Sequence, residues 1–241
     1  MAKHDDFIYS PVESILADAV LALGPIAGGI DTYPINEYLM KTIFLQMTGF
    51  QEQKFKCIAW EVATEDFEFR REFLNNFSTE GFSTYDSKRK LYNKVMRIIK
   101  RDELTVEERK KIVKDSKLII CGILDNSNLQ FWNMSSYSEF KQTISDKLGY
   151  TQFALKGKKG NTNLLENIAK EVYDSLYYYR NRLAHNTFSY QRNLPTFKSL
   201  ENTDSLETNY FVWFYLLVVI DKIMIKIYEE FQYNNQDLLR T

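Results

Sequence analysis

Apolar residues recur at intervals of three and four along nearly the whole chain, and only 9 glycines and 4 prolines interrupt its 241 residues. That spacing lays one apolar stripe along a helix. The shortage of turn-forming residues leaves little material for the frequent tight reversals of a β protein. The expected class is therefore all-α, a helical bundle around one core.

The stripe can be followed along the chain. A short helix is expected over residues 11–23, with Ser10 as its cap and Pro11 at its first position, stopped by Gly24 and Pro25. Leu39, Ile43, Met47, Phe50 and Ile58 mark a long core helix over about 35–63. Residues 66–77 suggest a shorter helix and 87–101 a strongly basic one. Thr105 and Glu108 have capping-box spacing ahead of Ile112, Val113, Ile119, Ile120 and Ile123, which gives a helix to about residue 124. A strand over 118–124 is the alternative. Residues 125–136 are polar and turn-rich, and the run Lys156, Gly157, Lys158, Lys159, Gly160, Asn161 reads as a loop without the spacing of a phosphate-binding glycine motif. Two helices close the chain, over about 162–183 and 206–231. No internal repeat or linker divides it, so a single domain over 1–241 is expected, with a basic helical region at about 85–150 as an insertion.

The net charge of −1 conceals an uneven distribution. Lys and Arg number 6 against 13 Asp and Glu in residues 1–80, 22 against 12 in 81–198, and 3 against 7 in 199–241. A basic centre suits a polyanionic ligand, although mixed runs such as residues 107–111 also suit a solvated helix face. No basic, apolar leader opens the chain, and the apolar run 211–220 is too short to cross a bilayer, so a cytoplasmic protein without a membrane partner is expected. Cys57 and Cys121 sit among apolar neighbours and read as core residues, not as a disulfide. With His4 and His185 the only histidines, and far apart, no metal cluster is expected, nor any cofactor.

Chemistry concentrates in residues 177–186, Tyr-Tyr-Tyr-Arg-Asn-Arg-Leu-Ala-His-Asn, at the end of the penultimate long helix. Asn181 and His185 share a face at i,i+4 spacing, with Arg180 beside them and Arg182 turned elsewhere. A permanent cation, an amide and an imidazole together suit cleavage of a phosphodiester by a neighbouring 2′-hydroxyl. That reaction needs a proton removed, a charged phosphorane stabilised and a leaving oxygen protonated. Histidine can move protons near neutral pH, and arginine can hold phosphate through paired donors.

The pattern Arg180-Asn181-x-x-x-His185, late in a helical domain and followed by another long apolar helix, resembles the R-polar-x-x-x-H signature of the HEPN superfamily. The motif covers six residues and its helical context about 162–231. The resemblance implies a helical bundle and a homodimer that brings two motifs together. It also implies metal-independent endoribonuclease activity on single-stranded or loop RNA, in bacterial defence or toxin systems. Arg180 and His185 would be catalytic, with Asn181 as their polar partner. In one branch of the family, toxins paired with a nucleotidyltransferase antitoxin often carry a modifiable tyrosine two positions after the histidine; Thr187 stands there instead, which argues against regulation by such an antitoxin while leaving room for another regulatory protein. The alternative implied function is a noncatalytic HEPN module that binds nucleotide, RNA or a partner protein.

Around the motif, Tyr177, Tyr190 and Arg192 are candidates for stacking on unpaired bases, and Lys158 and Lys159 for guiding an RNA backbone. Core packing of the tyrosines and a solvated lysine loop are the competing readings. Glu52 and Lys56 have helix-pair spacing and read either as a surface ion pair or as groups behind the cleft.

Overall fold

The computed structural model describes residues 3–23, 33–76, 81–157, 162–184 and 209–238. Nine α-helices are found among them: α1 Asp5–Tyr9, α2 Ser14–Leu23, α3 Tyr33–Glu65, α4 Phe67–Asn76, α5 Tyr85–Ile98, α6 Val106–Leu124, α7 Met134–Lys147, α8 Asn167–Ala184 and α9 Tyr210–Leu238. A two-stranded antiparallel hairpin, β1 Phe153–Lys156 and β2 Thr162–Leu165, precedes α8 and pairs Phe153 with Leu165 and Leu155 with Asn163.

The helix α9 is the axis of the core. Residues 210–220 are buried without a break, as a helix apolar on every side must be, and α9 packs against α3, α5, α6, α7 and α8. At 33 residues, α3 is about 50 Å long and meets α1, α2, α4, α5, α8 and α9 along its length. Its only internal glycine, Gly49, leaves it intact. Where α3, α8 and α9 converge, Phe44, Tyr179, Tyr210 and Trp213 form an aromatic layer with ring centroids 4.9–6.0 Å apart, and the Tyr179 and Tyr210 hydroxyls lie 2.8 Å apart. Each such ring pair contributes about 0.5–1.5 kcal/mol beyond burial, which fixes the C-terminal half of α8.

A buried ion pair ties the chain's start to this centre. Lys54 and Asp221 side chains are 0% exposed and meet at 2.7 Å. The Lys54 ammonium also donates to the Ser10 carbonyl at 2.5 Å, and Asp221 accepts the Val12 N–H at 3.1 Å. Burial pushes each group towards its neutral form, while their mutual attraction opposes this.

This network explains the first departure from the sequence expectation. Ser10 closes α1 and does not cap a helix at Pro11; its hydroxyl donates to the Phe7 carbonyl, and α2 begins only at Ser14. The backbone between them serves Lys54 and Asp221 instead. A second departure lies before α8. Residues 162–165 are strand rather than helix, because the Tyr85 hydroxyl donates to the Leu165 carbonyl at 2.8 Å and accepts the Leu165 N–H at 3.2 Å. The fold is mostly helical, in line with the all-α expectation, and this hairpin is the one sheet among the described residues. A third is where α7 starts: it begins at Met134, inside the expected turn-rich stretch 125–136, with Asn133 capping the Ser136 N–H. The alternative strand over 118–124 is helix, and the Thr105–Glu108 capping box forms as its spacing predicts. Among the described residues no helix is long and apolar enough to cross a membrane.

Candidate active site

The last turns of α8 carry the motif because the helix spends its apolar stripe on the core. Val172, Tyr173 and Leu176 are buried, and Tyr179 and Leu183 pack against the core from its edge. Arg180 is left at the margin, its side chain 24% exposed, facing α3.

There it meets Glu52. Arg180 Nη2 donates to Glu52 Oε2 at 3.2 Å, and Arg180 Nη1 donates to Asn181 Oδ1 at 3.1 Å. The other carboxylate oxygen of Glu52 lies 3.1 Å from Lys56 Nζ. Glu52 and Lys56 form the i,i+4 ion pair that their spacing predicts, and the same carboxylate also reaches Arg180. Among the described residues, two of the five guanidinium donors are used. Gly81 approaches the same carboxylate so closely that a β-carbon there would run into Glu52.

Behind Arg180 polar side chains stand among the apolar residues of the core. A cavity of about 10 Å³, roughly one water in size, is lined by Gln51, Ser83, Lys88, Tyr173, Tyr177 and Arg180 among others. Lys88 Nζ donates to Gln51 Oε1 at 3.0 Å and lies 4.2 Å from the centroid of the Phe55 ring. Gln51 Nε2 in turn donates to the Leu217 carbonyl at 2.8 Å. Burial lowers the Lys88 ammonium to about 7; Glu52 and Asp221 oppose the shift, and Arg180 reinforces it. The same burial raises the Tyr173 phenol, whose hydroxyl donates to the Ser83 carbonyl at 2.9 Å.

The three consecutive tyrosines part company. Tyr179 belongs to the aromatic core, Tyr177 forms one wall of the cavity, and Tyr178 is 65% exposed with the Arg182 guanidinium 5.6 Å from its ring centroid. Arg182 thus faces away from Arg180, as its helical position predicts. Of the other candidates named from sequence, His185, Lys158, Lys159, Tyr190 and Arg192 lie outside the described residues, as does Thr187. His185 follows the last residue of α8 directly.

Lys88 and Gln51 were missed by the sequence reading, though a signal was present. Lys88 occupies a position on the apolar stripe of Tyr85, Tyr92 and Val95, and Gln51 one on the stripe of Met47, Phe55 and Ile58. A polar residue in apolar register marks a buried contact. Cys57 and Cys121 are half-buried, and burial raises both thiols above their ordinary value, which makes them poor nucleophiles. No group of three His, Cys, Asp or Glu among the described residues is placed to hold a metal ion. No family model, curated protein or solved structure matches the chain.

Proposed function

We propose that the chain is a HEPN-type endoribonuclease that cleaves single-stranded or loop RNA through attack of a 2′-hydroxyl, without a metal cofactor. The observation that carries this reading is the setting of Arg180, oriented by Glu52 and Asn181, with donors to spare, at the end of the helix that leads into His185. In this reading Arg180 holds the scissile phosphate and stabilises the charge that builds on it. Asn181 keeps the guanidinium in plane. His185 moves the proton, and a second copy of the chain supplies the second imidazole, so that one acts as base and the other as acid. A role as effector in a defence or toxin system rests on the family resemblance.

One observation favours a second reading. Arg180 already has an acidic partner in Glu52, as an arginine kept for structure would, which fits a noncatalytic module that binds RNA, nucleotide or a protein. One assay separates the two. Purified protein is incubated with mixed RNA in excess chelator, alongside Arg180→Ala and His185→Ala. The proposed enzyme leaves 2′,3′-cyclic phosphate ends, and each substitution abolishes cleavage. Cleavage unchanged in both variants rejects the site, and RNA binding by an inactive wild type selects the second reading.

A further inference from the structure

Lys88 is out of place for a lysine. It is 2% exposed, in the second turn of α5, and its ammonium has three donors but a single described hydrogen bond, to Gln51 Oε1. Among the described residues no carboxylate pairs with it directly; Glu52, the near one, is taken by Arg180 and Lys56. The Phe55 ring face supplies the remaining favourable contact. Such a cation is costly to bury, and tying α5 to α3 and α9 through Gln51 and Leu217 does not require a charge there. What the charge does reach is the cavity that Lys88 shares with Arg180.

We propose that Lys88 is a positioning residue of the Arg180 and Glu52 site: its ammonium sets the charge behind Glu52, and thereby governs how firmly Glu52 retains Arg180 and how strongly the cleft attracts a phosphate. The proposal rests on the reading of Arg180 as a phosphate-binding group. With Lys88 protonated, Glu52 divides its field among three cations and Arg180 is the more readily shared with an incoming anion. With Lys88 neutral, Glu52 grips Arg180 more tightly and the cleft loses a positive charge.

Both effects act in the same direction. Because the Lys88 ammonium titrates around 7, its charge changes across the neutral range. The groups that face it are Gln51 and Glu52 from α3, Asp221 from α9, Tyr173, Tyr177 and Arg180 from α8, and Ser83 before α5. An anion at Arg180 raises the affinity of Lys88 for its proton, and by reciprocity the protonated lysine raises the affinity for the anion. Phosphate binding is therefore accompanied by proton uptake and weakens as pH rises through neutrality.

Lysine-selective NMR titration of the full chain tests this without any catalytic readout. One lysine signal, absent from Lys88→Met, is expected to titrate near pH 7. Its midpoint should fall in Glu52→Gln, rise in Arg180→Gln, and rise on adding inorganic phosphate to the wild type but not to Arg180→Gln. A 2′-O-methyl oligoribonucleotide, which cannot be cleaved, should bind roughly tenfold more tightly at pH 6 than at pH 8. Lys88→Met should lose the Lys88 share of that dependence, and Lys88→Arg should bind tightly at both values. A Lys88 midpoint indifferent to Glu52, Arg180 and phosphate overturns the proposal, as does an unchanged pH profile in Lys88→Met. An inactive protein whose Lys88 responds to phosphate refutes the nuclease reading alone; an active one whose Lys88 does not respond refutes this inference alone.

Discussion

The guanidinium of Arg180 lies 3.2 Å from the carboxylate of Glu52, 128 positions away along the chain. The contact holds the motif arginine in one orientation, and it also opposes any phosphate that competes for the same donors. Charge and orientation should therefore separate in Glu52→Gln. Removing the negative charge strengthens substrate attraction and lowers KM, while the loosened guanidinium is less well aimed, so that kcat falls by about tenfold to a hundredfold. Steady-state cleavage of a short RNA measures both. A Glu52→Gln enzyme with unchanged kcat would show that Arg180 needs no support from α3.

Gly81 offers a second route to the same contact. A methyl group there meets the far end of the Glu52 side chain, 3.3 Å from its Cδ, so Glu52 turns aside and the backbone stays in place. The expected stability change in Gly81→Ala is small, about 1 kcal/mol or less by urea denaturation. Turnover should fall as in Glu52→Gln, but without the lower KM, since the carboxylate keeps its charge. Equal KM changes in the two variants would contradict this division of roles.

Much of this architecture is legible in local spacing. The long α3, the capping box of α6 and the unbroken apolar α9 each carry their own signal, because a helix is fixed by residues three and four apart. What escapes is set by distant partners. The hairpin before α8 depends on the hydroxyl of Tyr85, and the end of α1 on a lysine and an aspartate from α3 and α9. The site divides in the same way: Arg180 and Asn181 are visible as a motif and Glu52 with Lys56 as a helix pair, yet no local pattern joins the two. Lys88, Gln51, Lys54 and Asp221 share a subtler sign, a polar residue where the helical period calls for an apolar one.

The pair of Lys54 and Asp221 should be essential to folding. Asp221→Ala leaves Lys54 as an uncompensated buried cation and strips the Val12 N–H of its acceptor, at a cost of about 3–5 kcal/mol. Adding Lys54→Met to Asp221→Asn removes the stranded charge, and the amide oxygen can still accept from Val12. The double variant should therefore regain more than half of the loss. Chemical denaturation of the single and double variants checks it; equal losses in both would mean that the charges themselves are not what the core is built to balance.

The buried lysine also leaves a mark on stability. In the unfolded chain a lysine titrates near 10.4, whereas Lys88 in the fold titrates around 7, so between these values the unfolded state binds more protons. Stability due to this group is thus lowest below pH 7 and rises with pH, at up to about 1.4 kcal/mol per pH unit. Cys57 and Cys121 act in the opposite sense at higher pH, since burial raises both thiols and ionising them favours unfolding. The useful window is therefore about pH 7 to 8.5, below the ordinary thiol range. Over it, urea midpoints of the wild type should rise relative to those of Lys88→Met, in which the titration is gone. Parallel pH profiles for the two proteins would place the Lys88 titration outside the neutral range and remove the physical basis for proton control of the site.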